Sequence, residues 1–217
     1  MSAAYGEARS ERVITKTGTI AEAAGSIAVI VLSIIGLAQT AASTTIVAVT
    51  TIVLGAALLA EGGALAGEFS KLTTAPPIAV ESALSSVSLQ VYGGAIALVL
   101  GILAILGISV DILCAAALIL VGGVLLLTAG SLPQMRQFSQ MNSVGGTQIV
   151  ERASMSGMAG FQFLNGVAAI VLGILALAGT GTEAVRTLTL VGFLVVGGAM
   201  TIAVTAMSGN FMRFFTR

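Results

Sequence analysis

Val99-Leu-Gly-Ile-Leu-Ala-Ile-Leu106 decides the fold, because two similar octapeptides occur elsewhere in the chain. They are Val31-Leu-Ser-Ile-Ile-Gly-Leu-Ala38 and Val171-Leu-Gly-Ile-Leu-Ala-Leu-Ala178. A short polar break and a second apolar run follow each one, and apolar runs of about 20 residues can cross a bilayer core as helices. The repetition therefore predicts three sequence repeats, each of which forms a transmembrane hairpin. The second runs cover residues 44–60, 112–130 and 188–206.

The predicted fold class is all-α, a polytopic membrane protein with six transmembrane helices arranged as three parallel hairpin repeats. Short breaks within each pair make each pair an antiparallel hairpin. We expect one membrane domain over residues 1–217, with tails and loops on one side at 1–18, 67–88, 131–160 and 207–217. The predicted spans are Thr19–Ala38 and Thr44–Ala66 in repeat 1, Leu89–Gly107 and Asp111–Gly130 in repeat 2, and Phe161–Gly179 and Glu183–Ala206 in repeat 3.

Composition supports the membrane assignment independently. The chain is 57% hydrophobic and 8% charged, whereas soluble domains carry about 25% charged residues. Nine basic residues balance nine acidic ones, which argues against a nucleic-acid partner. The bilayer is the expected partner, together with protein partners or further copies of this chain within the membrane.

The basic residues predict the orientation. With both termini in the cytoplasm, eight of the nine basic residues lie inside and Arg186 lies outside. This bias satisfies the positive-inside rule. We therefore expect an integral protein of a bacterial or archaeal cytoplasmic (inner) membrane, with both termini cytoplasmic. Glu183 and Arg186, three residues apart, suggest a surface ion pair on the other side.

Small residues recur seven apart along the predicted helices, which places each pair on one helix face. Lipid does not drive helices together by the hydrophobic effect, so close approach at small side chains supplies packing energy. We expect these residues to pack the six helices against one another; an assembly interface is the alternative. The predicted packing residues are Ser26, Ser33, Gly94, Gly101, Gly166 and Gly173 on the first helices and Gly55, Gly62, Gly123, Gly130 and Gly192 on the second helices.

Four polar residues form the candidate site. Glu22, Gln90 and Gln162 each lie four residues before the first small residue of their repeat, so they could form a polar girdle near the cytoplasmic end. Glu61 lies inside the second predicted span and is not repeated. Polar residues inside membranes usually mark a solute pathway or face protein. The alternative is that all four reach the headgroup level, where such side chains are ordinary.

The segments between hairpins carry two further patterns. Pro76-Pro77 can open a helix, and the apolar residues that follow predict an amphipathic lead-in continuous with the third span. Residues 134–158 are rich in Gln, Ser and Met, which suits either adaptable contacts or a solvated linker.

The chain offers no catalytic, cofactor or metal residues that we can identify. It contains no histidine, and its single cysteine, Cys114, lies within a predicted span. No nucleotide-binding, zinc or serine-hydrolase motif occurs, and no base stands near the serines to activate a hydroxyl. We therefore expect a protein that is not an enzyme.

The hairpins resemble those of the HdeD-type acid-resistance membrane proteins of bacteria. The pattern V-L-G-I-L-A-L followed by G-G-x-L-L-L-x-x-G is similar to Val99–Gly130 and to Val171–Gly198. The first repeat departs from it at Ser33, and the proline common in that family's hairpin turns is absent. The resemblance implies a bacterial inner-membrane protein without catalytic residues.

These observations favour a non-enzymatic membrane scaffold or an accessory subunit of a membrane assembly. A small channel or transporter that uses the polar girdle is the alternative. The central parts of the spans hold aliphatic, small and hydroxyl residues, so we expect no continuous polar channel.

Overall fold

The structure is a computed structural model that describes residues 23–39, 44–69, 77–142, 148–179 and 181–207. Side chains are described within 23–39, 44–63, 87–129, 160–179 and 181–203. Within these parts of the chain every regular element is an α-helix, so the all-α class is confirmed. The helices are α1 (Ala23–Ala38), α2 (Thr44–Phe69), α3 (Pro77–Ile105), α4 (Val110–Asn142), α5 (Gln148–Ala178) and α6 (Thr182–Met207).

Five of these helices are long and apolar enough to cross a membrane, which makes the chain an integral membrane protein. The described part of α1 is apolar but shorter than a full span. The apolar windows are Thr44–Gly63, Val87–Ile105, Val110–Ala129, Gly160–Ala178 and Thr182–Ala203.

Three helices extend more than ten residues beyond the predicted spans. α3 begins at Pro77, so the predicted helical lead-in to the third span is confirmed. α4 and α5 contain 33 and 31 residues, about 50 and 45 Å at 1.5 Å per residue. The predicted loop 131–160 was therefore too long. Its polar composition hid the helices, because an established helix can extend beyond the apolar window at little cost per residue.

The helices form an inner group and an outer group. α2, α4 and α6 contact one another, and 50%, 56% and 50% of their apolar windows are buried, against 33% for α3 and 28% for α5. α3 packs against α2 and α4, and α5 packs against α4 and α6. The largest fully buried side chains lie on α2, α4 and α6, together with Val29 on α1. The core is thus the space between the three inner helices.

α1 occupies the remaining groove, between α2 and α6. A β-carbon added at Gly25 would lie 2.8 Å from the β-carbon of Ala57 on α2. On the other side, the Thr201 hydroxyl of α6 donates a hydrogen bond of 3.1 Å to Ser26 Oγ. Each outer helix therefore contacts two inner helices.

The closest helix contacts are made at glycines. A β-carbon on Gly55 of α2 would lie 2.5 Å from the amide nitrogen of Leu98 on α3, and one on Gly94 would lie 2.9 Å from the Gly55 carbonyl oxygen. α4 and α5 meet in the same way, because a β-carbon on Gly122 would lie 2.7 Å from the carbonyl oxygen of Gly166. At these two crossings the backbones themselves are in contact, and any side chain would separate them.

The contact on α4 falls at Gly122 and not at the predicted Gly123. A β-carbon at Gly123 would meet no atom within 4 Å. One residue turns an α-helix by about 100°, so the small-residue alignment was one residue out of register on this helix. The physical reason is that the turn before α4 sets the rotation of this helix about its axis, whereas the spacing of its glycines does not set that rotation.

The other predicted packing residues fall into three groups. A β-carbon at Gly62, Gly101, Gly173 or Gly192 would come within 2.8 Å of a side chain on a neighbouring helix. Ser26 and Ser33 are fully buried. The contacts of Gly130 lie outside the described side chains.

The turn between α3 and α4 is closed by hydrogen bonds of the backbone. Gly107 has a positive φ of 85°, and its N–H donates to the carbonyl of Ala104 at 3.0 Å. The N–H of Ile108 donates to Leu103 at 3.3 Å, which completes a Schellman cap. Glycine suits this left-handed position because it has no β-carbon to clash.

Arg186 forms an ion pair with Asp111 that links α6 to α4. Arg186 Nε lies 2.8 Å from Asp111 Oδ1, and the two side chains are 20% and 23% exposed. The predicted partner of Arg186 was Glu183, three residues away, whereas the ion pair in the structure joins Arg186 to a residue 75 positions away. We call this the ion-pair end of the bundle; the opposite end is the one where α2 and α6 end.

The two neighbouring glycines of α4 give a matched test of the packing. We expect Gly122→Ala to lower the free energy of unfolding by about 1–3 kcal/mol, because its methyl group would meet backbone atoms that cannot move aside. Gly123→Ala should leave stability unchanged or raise it by up to about 1 kcal/mol, because alanine favours helix and the space is open. Unfolding of the purified variants in detergent measures both; a larger loss at Gly123 would contradict the register.

Removing the ion pair should also destabilise the bundle. Arg186→Met keeps the aliphatic stem but leaves the Asp111 carboxylate without its guanidinium, and we expect a loss of about 1–2 kcal/mol. Glu183→Gln removes an exposed carboxylate from the same helix turn and should cost less. The comparison is made by thermal unfolding at low salt, and a larger effect of Glu183→Gln would show that Asp111 is not the main partner.

Candidate functional site

Most buried hydroxyl groups in the bundle are satisfied by their own helix. The hydroxyls of Thr50, Thr51 and Thr189 each donate to the carbonyl four residues earlier, at 2.7–2.8 Å. Thr128 does the same to Val124 at 2.9 Å. Such bonds to the preceding turn hide the polar atom from hydrocarbon. The hydroxyl hydrogens of these threonines are therefore already used within their own helices.

Asn165 on α5 behaves differently. Its side chain is 5% exposed, and both its amide oxygen and its amide nitrogen are buried without a hydrogen-bond partner in the described part of the chain. A buried polar group left unpaired costs about 1–3 kcal/mol. Native proteins usually avoid this cost, so an amide with both ends unpaired requires an explanation.

A cavity of about 250 Å³ lies beside Asn165. α2 and α5 supply its polar residues, which are Glu61, Gln162 and Asn165, while α4 and α6 contribute apolar wall. The apolar lining residues are Leu125, Phe161, Ala199, Met200, Ile202 and Ala203.

The cavity lies in the membrane-embedded part of the bundle, at the end opposite the ion pair. Asn165 is five residues inside the apolar window that begins at Gly160, which corresponds to about 7 Å along the helix. Glu61 lies two residues before the apolar window of α2 ends at Gly63. The polar lining therefore begins near the membrane boundary and reaches one to two turns into the apolar region.

The structure brings together two of the four residues proposed for the polar girdle. Glu61 and Gln162 line the same cavity although 100 residues separate them in the sequence. Gln90 is 2% exposed, and its amide nitrogen is buried without a partner among the described residues. It is not one of the cavity-lining residues. Glu22 lies outside the described residues.

Sequence reasoning missed Asn165, although a signal was present. Six residues before the first valine of each octapeptide stand Gly25, Gly93 and Asn165. A β-carbon on Gly25 or Gly93 would meet a side chain of the next helix in the chain, Ala57 or Val124. An amide in place of a glycine, at a position that faces a helix, could have been noticed as an exception.

The chemistry available in the cavity is that of reversible binding. Its polar residues offer one carboxylate and two amides, which can accept and donate hydrogen bonds. Among the described lining residues, none is a nucleophile with an adjacent base. In the described residues, no group of three or more His, Cys, Asp or Glu residues could hold a metal ion.

The fold and the site together define a class of protein, an integral membrane bundle of apolar helices with a polar-lined cavity. No protein-family model matches the sequence, and neither a curated protein nor a solved structure is similar to it.

Proposed function

We propose that the chain is a non-enzymatic integral membrane scaffold, or an accessory subunit of a membrane protein assembly. The observation that carries this proposal is the filled centre of the bundle. Leu54 and Leu58 of α2, Leu118 of α4, and Phe193 and Val196 of α6 are all fully buried. An unpaired charge in hydrocarbon costs about 2.5–3.5 kcal/mol or more. A core packed with such side chains gives an ion no low-cost path across the membrane.

We further propose that the architecture is six spans built from three parallel hairpin repeats. Ser26, Gly94 and Gly166 each lie five residues before the first valine of their octapeptide. Each of them also lies against a glycine of an inner helix, which supports the repeat. Those glycines are Gly197, Gly55 and Gly122 respectively.

The proposed location is a bacterial or archaeal cytoplasmic membrane with both termini in the cytoplasm. Eight of nine basic residues fall on the side of the termini in this topology, which supports it. The resemblance to the HdeD-type membrane proteins is consistent with the same location. In this orientation the ion-pair end is external and the cavity opens near the cytoplasmic face.

Cysteine labelling tests the topology. In a Cys114→Ala background, which removes the single native cysteine, Gly181→Cys should react with a membrane-impermeant maleimide added to intact cells. Thr216→Cys should react after the membrane is opened and not before. The opposite pattern, or external labelling at both positions, would rule out cytoplasmic termini.

Outer faces of the bundle are the surfaces available to partners within the membrane. The first valine of each octapeptide, Val31, Val99 and Val171, is 47%, 53% and 47% exposed. These three positions are matched in sequence context and point away from the core. A partner chain would cover one or two of them and leave the others in contact with lipid.

Photocrosslinking at these three valines tests the scaffold proposal. A photoreactive residue at each position in native membranes should give a discrete protein adduct from one or two positions and lipid adducts from the rest. An adduct at twice the mass of the chain would identify self-association. Lipid adducts alone from all three positions would contradict a scaffold that acts through its membrane faces.

A small transporter is the second candidate function, and the cavity with Glu61, Gln162 and Asn165 is the observation that favours it. Transporters commonly bind solutes at polar groups within the membrane. Flux in reconstituted vesicles separates the candidates. A scaffold should give the same solute flux as empty vesicles, whereas flux that is lost in Glu61→Gln would establish transport.

A further inference from the structure

We propose that the cavity beside Asn165 is a binding site for a small organic cation, an ammonium group with an apolar substituent. The proposal does not depend on the scaffold proposal, because it concerns binding alone and holds whether or not the ligand crosses the membrane. A cavity of 150 Å³ can hold benzene, so 250 Å³ holds a ligand of roughly ten heavy atoms.

The unpaired amide of Asn165 indicates that a ligand belongs here. Both of its polar atoms are buried, and neither has a partner among the described residues. At the matching positions of α1 and α3 the chain has Gly25 and Gly93, which pack closely against the next helix. A polar side chain at such a packing position is costly unless a ligand satisfies it.

The charge of the lining favours a cation. Glu61 contributes a carboxylate, and none of the described lining residues is a lysine or an arginine. One carboxylate oxygen of Glu61 is shielded from solvent, which strengthens its field in the cavity. An ammonium group donates hydrogen bonds, and the amide oxygens of Gln162 and Asn165 can accept them.

The remaining walls suit an apolar substituent. Leu125, Ala199 and Met200 are buried and line the cavity. Phe161 adds an aromatic ring, whose face attracts cations. Methionine is flexible and polarizable, so it adapts to ligands of different shape. A polar head with an apolar body therefore matches the lining better than an inorganic ion, which would leave the apolar wall unused.

The cavity is accessible from outside the bundle. Phe161 is 43% exposed and Ile202 is 54% exposed, and both line the cavity. Both residues lie at the end of the bundle opposite the ion pair. A ligand can therefore enter near the membrane boundary without passing through the packed core.

The test uses benzylammonium as the probe, with benzyl alcohol as its uncharged analogue. The full-length protein is placed in lipid nanodiscs, and binding is followed by ligand-observed NMR titration against empty nanodiscs. The variants are Asn165→Leu, which replaces the amide with an apolar group of similar size, and Glu61→Gln, which removes the charge. Gln90→Leu is the matched control, because it removes another buried amide that does not line the cavity.

We expect benzylammonium to bind saturably and at least about tenfold more tightly than benzyl alcohol, because hydrogen bonds between charged groups are the stronger ones. Glu61→Gln should remove this preference. Asn165→Leu should weaken binding at least about tenfold, and Gln90→Leu should leave it unchanged. Asn165→Leu should also raise the unfolding temperature of the ligand-free protein, because it removes the cost of burying an unpaired amide. If the amide were purely structural, its removal would lower the unfolding temperature.

Three results would overturn the proposal. Equal binding of the cation and the alcohol would show that the carboxylate does not select the ligand. Unchanged binding in Asn165→Leu would place the ligand elsewhere. A lower unfolding temperature of Asn165→Leu would show that the amide stabilises the protein without a ligand.

Discussion

Close approach of helix backbones at glycines is the constraint on which the rest of the bundle depends. Within hydrocarbon, apolar side chains gain nothing by leaving lipid for protein, so the helices must be held by contacts of short range. Gly55 with Gly94, and Gly122 with Gly166, bring helices together until backbone atoms touch. The same solvent requires each polar atom to find a partner inside the protein, and the core threonines find it in their own helix.

Ser33 Oγ and Gln90 Nε2 break this rule with one atom each, whereas Asn165 breaks it with both polar atoms of its amide and lines the cavity. Where α1 and α3 pack a glycine against the neighbouring inner helix, α5 has an amide and an open space that is also lined by Ala199. In a sequence whose local choices agree with the fold, such an exception is most often functional. The cavity therefore coincides with a residue that differs among three similar helices.

The two ends of the bundle differ in structure. At the ion-pair end, the α3–α4 turn is short and capped by Gly107, and Asp111 and Arg186 tie two inner helices together. At the other end α3, α4 and α5 continue beyond their apolar windows, and the cavity is open to the outside. The first end ties two inner helices together, and the second carries the polar lining of the cavity.

The sequence by itself determined the class of protein, the approximate helices and the importance of small residues. Length and apolar character are enough for this, because a bilayer sets the length of any helix that crosses it. The start of α3 at Pro77 was also readable, since proline fits the first turn of a helix. The long ends of α4 and α5 were missed because polar helix and polar loop have similar compositions.

Only the tertiary structure decided which residues meet. A shift of one residue rotates a helix by about 100°, so the sequence could not distinguish Gly122 from Gly123 as the contact on α4. It could not pair Arg186 with Asp111, because the two residues lie on helices that are not consecutive in the chain. The sequence placed Glu61 and Gln162 on separate helices. The depth and rotation of those helices, which bring both residues to one cavity beside Asn165, depend on how all the inner helices pack. Composition and periodicity are properties of a single helix, whereas a site made by several helices exists only once their rotations are fixed.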